Sequence, residues 1–122
     1  MKTREAAKFF EVLSSDVRLE IFRLLVKHEP EGLVAGEIAK RLDLPSTNLS
    51  FHLKAITHTG LIGLEKQGRF SRYRANIPLM TDVIDYLTAE CCSGHPGCCL
   101  KLKATLAALP IMFAQGTDGE KN

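Results

Sequence analysis

A chain of 122 residues can bury one real core but is too short for two comfortable domains. Its 45% hydrophobic and 25% charged residues, with a net charge of +2, exclude a disordered or strongly polyionic protein. No apolar run approaches the roughly 18 residues of a membrane span and no signal peptide is evident, so a cytoplasmic location without a membrane partner is expected.

Taken in chain order, residues 3–13 predict a helix capped by Thr3, with Ala6, Phe9, Phe10 and Leu13 at helical spacing. Ser14 and Ser15 break it, and Ser15 or Asp16 caps the next. That helix, running to about Lys27, is apolar on most sides and is expected at the centre of the core. After a loop with Pro30 and Gly32, Ala35, Ile38, Ala39 and Leu42 mark a short helix. Leu44-Pro45-Ser46 forms a tight turn with Ser46 as cap, and a second helix places Leu49, Leu53 and Ile56 inward until Gly60 ends it. Two short helices joined by such a turn are a helix-turn-helix pattern.

Residues 61–66 and 69–75 alternate as two strands around Gln67-Gly68, a β-hairpin in the position of a wing. Helical periodicity resumes over 78–90 with Leu79, Val83, Tyr86 and Leu87, and again from Leu100 to Leu109 with Leu102 and Leu106. Beyond Pro110 the composition is polar and glycine-rich. The expected architecture is mainly α with a small β-hairpin, a winged helix-turn-helix. Residues 1–110 make the domain, with its dimerisation helices and a cysteine cluster at 91–99, and 111–122 make a flexible tail. The apolar face of residues 6–13, with Val83, Leu87, Leu102, Leu106 and Leu109, exceeds what one such domain can cover, so a homodimer through the terminal helices is expected.

Charge is unevenly distributed. Residues 40–76 carry seven Lys and Arg against Asp43 and Glu65, a local excess of five, while the remainder is net negative. Such a basic face suits a phosphate backbone. With Leu49, Leu53 and Ile56 inward, Ser46, Thr47, Asn48, Ser50, Phe51 and Lys54 occupy the outer face and first turn of the second helix. Thr47, Asn48 and Ser50 are candidates for base edges in double-stranded operator DNA, and Ser46 belongs to the same N-terminal turn; Lys54 is a candidate for phosphate. His52 lies beside the inward stripe, and both a packed role and a phosphate contact stay open for it. In the hairpin, Lys66, Gln67, Arg69, Arg72 and Tyr73 suit the minor groove or flanking phosphates. A hairpin that needs charge only to protect its edge is the alternative. No phosphate-cradling glycine motif or catalytic histidine with a carboxylate partner is visible, so an enzyme is not expected.

The run from Leu33 to Lys54, with its Ser50-Phe51-His52-Leu53 core, and the following Thr59-Gly60-Leu61-Ile62 exit resemble the ArsR/SmtB family of metal-responsive repressors over about residues 5–90. The resemblance implies a homodimer that binds an imperfect inverted repeat at its own promoter and leaves on capturing a metal or metalloid. Two of that family's sites are missing. Val34, Gly36 and Ala39 stand where founding arsenic sensors carry cysteines, and Asp82 lacks a following histidine for a zinc site.

All four cysteines fall in Cys91-Cys92-Ser93-Gly94-His95-Pro96-Gly97-Cys98-Cys99. In a reducing compartment such a cluster reads as metal-binding or redox-active. Thiolates select soft ions, and trivalent arsenic or antimony takes three of them in a pyramid. Cys91, Cys92 and Cys98 match the spacing of an arsenic-responsive subgroup of the family, which makes arsenite or antimonite the expected inducer, with no cofactor required and Cys99 a spare. A site for cadmium, lead or zinc and a thiol redox switch remain the alternatives; contiguous cysteine pairs are unusual for structural zinc.

Overall fold

Apolar periodicity becomes five helices and three short strands in residues 1–90, the part of the chain that the computed structural model describes. The order is α1 (Thr3–Leu13), α2 (Asp16–Lys27), β1 (Leu33–Val34), α3 (Ala35–Leu42), α4 (Ser46–Thr59), β2 (Ile62–Gln67), β3 (Phe70–Ala75) and α5 (Ile77–Leu87). Met1–Tyr86 forms one compact unit. This is a winged helix-turn-helix: α3 and α4 are the helix-turn-helix pair and β2–β3 the wing.

One core joins all the helices. Phe9 and Val12 of α1, Ile21, Phe22 and Leu25 of α2, Ile38 of α3, the three inward residues of α4 and Val83 of α5 meet Leu33, Leu61, Ile62 and Ala75 from around the sheet. α2 is central, as its composition predicts, but not buried all round: Leu19 and Val26 are exposed. Phe10, on the apolar face of α1 that exceeds what one domain can cover, faces out, since Ala6, Phe9 and Val12 already fill that helix's buried stripe.

Several boundaries shift. Lys2, not Thr3, is the N-cap of α1, and the Thr3 hydroxyl instead meets that of Tyr86 near the end of α5. Ser15 caps α2 as expected, its hydroxyl accepting from the Arg18 amide. Between α3 and α4 the turn is Asp43-Leu44-Pro45, with Asp43 left-handed (φ 53°) and Pro45 as N-cap. Ser46 is therefore the first helical residue, not the cap. Gly60 terminates α4 with φ 90°, as its position predicts.

The hairpin gains a strand. β3 is central, pairing antiparallel with β2 on one side and with β1 on the other, where Leu33 faces Tyr73 and Val34 faces Arg72. Gln67 pairs with Phe70, so the turn is Gly68-Arg69, one residue later than predicted, with Gly68 at φ 63°. Gly32, φ 73°, leads into β1, and a Cβ there would lie 2.3 Å from the Tyr73 carbonyl oxygen. Only glycine lets the two backbones come that close. The expected boundary at 110, the tail and the helix from Leu100 all lie outside the described residues.

Candidate nucleic-acid interface

α4 is pinned on one side and open on the other. Leu49, Leu53 and Ile56 retain at most 2% of their surface. A rotation of 100° per residue then sends Thr47, Phe51, Lys54 and His58 to the opposite face, and all four are exposed. Ser46, Asn48 and Ser50 are exposed at and beside the N-terminal turn. The expected base-reading residues thus share one solvent-facing end of a helix whose other side is locked into the core.

His52 is different. It is half-buried and turned toward α2, where its Nδ1 accepts a hydrogen bond of 3.1 Å from Arg18 Nε. The Arg18 guanidinium also lies 5.7 Å from the centre of the Phe51 ring, and the Phe51 and His52 rings meet edge to face. Arg18 therefore fastens the N-terminal part of α2 to α4. The packed role left open for His52 is the one its Nδ1 fills. Beside this cluster Lys8, Arg18, Lys54 and His58 help line an open groove of about 600 Å³ between α1, α2 and α4, with Glu11 the acidic group on its wall. Sequence reasoning passed over Lys8 and Arg18 because they precede the helix-turn-helix by many residues; no local signal ties them to it.

The wing's candidate residues divide into two sets. Lys66, Gln67 and Arg69 are exposed at the tip. Arg72 sits midway along β3, opposite Glu65, where Nε donates to Gln67 Oε1 at 3.1 Å and Nη1 donates to the carbonyls of Gly32 (3.2 Å) and Glu31 (3.5 Å). Tyr73 packs half-buried against the core between its cross-strand neighbours Leu33 and Leu64. Arg74 pairs with Glu29 at 3.2 Å, the one ion pair among the described residues. That hydrogen bond, reinforced by the carboxylate's charge, raises the Arg74 pKa further above its already high value. So the structure brings Lys66, Gln67 and Arg69 to the tip and sets Arg72 and Tyr73 in the middle of the hairpin, tied to the turn before β1 and to the core.

A further polar residue that sequence reasoning missed is Asn76. Its side chain donates to the Gly60 carbonyl at 3.0 Å, its backbone N–H donates to that of Leu61 at 2.8 Å, and its Oδ1 accepts from the Leu79 amide at 3.2 Å. The end of α4 and the start of α5 are thereby hydrogen-bonded to one residue. A visible signal existed, an asparagine just before a helix whose second residue is proline. Cys91, Cys92, Cys98 and Cys99 lie outside the described residues; among the described residues no group of three or more His, Cys, Asp or Glu is placed to hold a metal ion. No helix among them is long and apolar enough to cross a membrane.

An exposed, polar-ended helix seated behind a short turn, with a basic hairpin tip beyond it, defines the class: a winged helix-turn-helix, an architecture that reads duplex DNA. Comparisons with known proteins agree with that class. A family model described as a helix-turn-helix domain matches residues 13–64, from the end of α1 into β2. The chain is similar to an ArsR-like transcriptional regulator from Rhodococcus sp. RHA1, with 27% identity, 89% of this chain and 92% of that one covered, and a TM-score of 0.62. It is also similar to reduced HlyU from Vibrio cholerae (26% identity, 74% and 92% covered, TM-score 0.59). A third likeness is to the transcriptional repressor PagR of Bacillus anthracis (26%, 69% and 93%, TM-score 0.58). Among curated proteins none matches the chain.

Proposed function

We propose that this protein is a metalloid-responsive transcriptional repressor of the ArsR/SmtB type, acting in the cytoplasm and not as an enzyme. As a homodimer it binds operator DNA and is released when Cys91, Cys92 and Cys98 capture trivalent arsenic or antimony. The observation that carries the DNA-binding part is the open end of α4: Thr47, Asn48, Ser50 and Lys54 are all exposed on a helix whose opposite side is fully buried. Hydroxyl and amide groups so placed match base edges in the major groove, and Lys66 and Arg69 at the wing tip suit neighbouring phosphates. Likeness to an ArsR-like transcriptional regulator and to a transcriptional repressor supports the regulatory role.

Support for the dimer comes from α1 and α5. Phe10 keeps 46% and Ile84 53% of its surface exposed, and the Thr3–Tyr86 contact brings the start of α1 beside α5. Val83, expected on this face, is not available to it: it is 1% exposed, spent on the chain's own core. The remaining residues of the expected interface at 102–109 lie outside the described residues. A monomer mass by sedimentation at micromolar concentration would remove this part of the proposal.

The inducer rests on the cysteine pattern. α5 ends at Leu87, four positions before Cys91, and begins at the Asn76 junction with α4. Arsenite bound at the cluster would act through the arrangement of the dimer and not by competing for bases. By reciprocity DNA weakens arsenite binding by the factor that arsenite weakens DNA binding, with couplings typically about 1–3 kcal/mol. The test is a gel shift on the chain's own promoter DNA, titrated with arsenite, cadmium and zinc. Arsenite should release the wild type, and serine at Cys91, Cys92 or Cys98 should leave DNA affinity intact and abolish release, while serine at Cys99 does much less. Release by cadmium or zinc alone would identify a different soft-metal sensor. Unchanged release from the Cys91→Ser and Cys92→Ser variants would refute the thiolate site.

A further inference from the structure

Among the described residues, one large apolar side chain stands on the exposed end of α4 where all its neighbours are polar. Phe51 is 66% exposed, in the same outward row as Thr47 and Lys54. Core packing does not explain it, because Leu49, Leu53 and Ile56 already fill the buried side of this helix. Nor is the ring loose on the surface. Arg18 lies over it at 5.7 Å from the ring centre, and His52 meets it at 5.7 Å between centroids and 69° between planes. Arg18 is itself held by its 3.1 Å bond to His52. A contact on one face and an edge contact with a neighbour orient the ring and leave the rest of its surface to solvent.

We infer that Phe51 is a specificity-determining residue that recognises the 5-methyl group of a thymine in the major groove. A phenyl ring has no donor or acceptor, so it cannot read the hydrogen-bonding edges of the bases. The one apolar feature the major groove offers is the thymine methyl, and aromatic side chains are among those that pack on it. Thr47, one turn earlier, and Lys54, one turn later, bracket Phe51 with a group suited to base edges and one suited to phosphate. The stacked Arg18 adds charge beside the ring without covering its outer side, so the ring meets the groove already oriented. This inference rests on the DNA-binding reading above and adds a requirement that reading lacks: a thymine at a fixed position in each half-site.

The experiment selects duplexes from a random library with the wild-type chain, then replaces each thymine of the selected site by deoxyuridine, which differs by the methyl alone. Wild-type binding should fall roughly fourfold at one thymine per half-site, the transfer free energy of one buried methyl. Phe51→Ala should bind the same duplex more weakly and be indifferent to that replacement, whereas Phe51→Leu should keep part of the discrimination. Circular dichroism checks that both variants are folded, and an exposed position makes that the expected result. If Phe51→Ala shows the wild-type uridine penalty, the inference is overturned and the DNA-binding reading stands. If the wild type enriches no duplex, the DNA-binding reading falls and takes this inference with it.

Discussion

α4 and the wing both carry many polar residues, with one Lys or Arg on α4 against four in the wing, and the fold treats them differently. On α4 the division is clean apart from Phe51: Leu49, Leu53 and Ile56 hold the helix, and the outward Thr47, Asn48, Ser50 and Lys54 make no hydrogen bond or ion pair with other side chains among the described residues. In the wing the same side chains that look available in sequence help hold the hairpin in place. Arg72 ties the middle of the hairpin to the turn before β1, Arg74 is paired with Glu29, and Tyr73 packs on the core. A helix buried along one stripe frees the rest of its surface, whereas a hairpin attached at its base needs its own side chains to fix its direction. Counting cations therefore overstates how many wing side chains are free to meet a partner.

The sharpest way to break this contrast is at α4. Thr47→Ala should lose about 1–3 kcal/mol of discrimination between cognate and altered sites, as expected for one base contact, with thermal stability unchanged; competition binding with single-base operator variants measures it. A loss that is equal for all sequences would return Thr47 to a backbone role.

The attachment of the wing is probed at glycines. Gly32→Ala should destabilise the fold by more than about 1 kcal/mol, because a left-handed φ and a carbonyl 2.3 Å from the new Cβ both oppose it. Gly36→Ala, in α3 with nothing within 4 Å of the added carbon, should be neutral or stabilise by up to about 1 kcal/mol. Urea unfolding of the pair gives the comparison, and equal midpoints would show that the β1–β3 approach is not as tight as described.

The smallest effects separate the two kinds of wing arginine. Arg72→Ala should cost about 0.5–1.5 kcal/mol of stability through its lost hydrogen bonds. Arg69→Ala, at the exposed tip, should stay within about 0.5 kcal/mol of wild type. On DNA the order reverses: Arg69→Ala should weaken all sequences alike and lower the slope of log affinity against log salt by about 0.9. A larger salt effect from Arg72 than from Arg69 would place the phosphate contact along the strand of the wing and not at its tip.

What the sequence by itself determined are the features whose cause is local. The 3.6-residue spacing of Leu49, Leu53 and Ile56 sets the buried stripe of α4, a glycine at 60 supplies the left-handed stop, and alternation over 62–75 makes the hairpin. Even there, caps and the turn moved by one residue, because Thr3, Ser46 and Gln67 are all acceptable locally and packing chose their neighbours. Only tertiary structure decided the rest. β1 is two residues long and exists because β3 offers it an edge, and it can do so only where Gly32 permits the approach. Arg18 meets His52 across 34 positions, Arg72 reaches Gly32 across 40, and Asn76 reaches Gly60 across 16. Periodicity carries no information about such pairings, since each side chain looks equally suited to water until the fold brings its partner within reach.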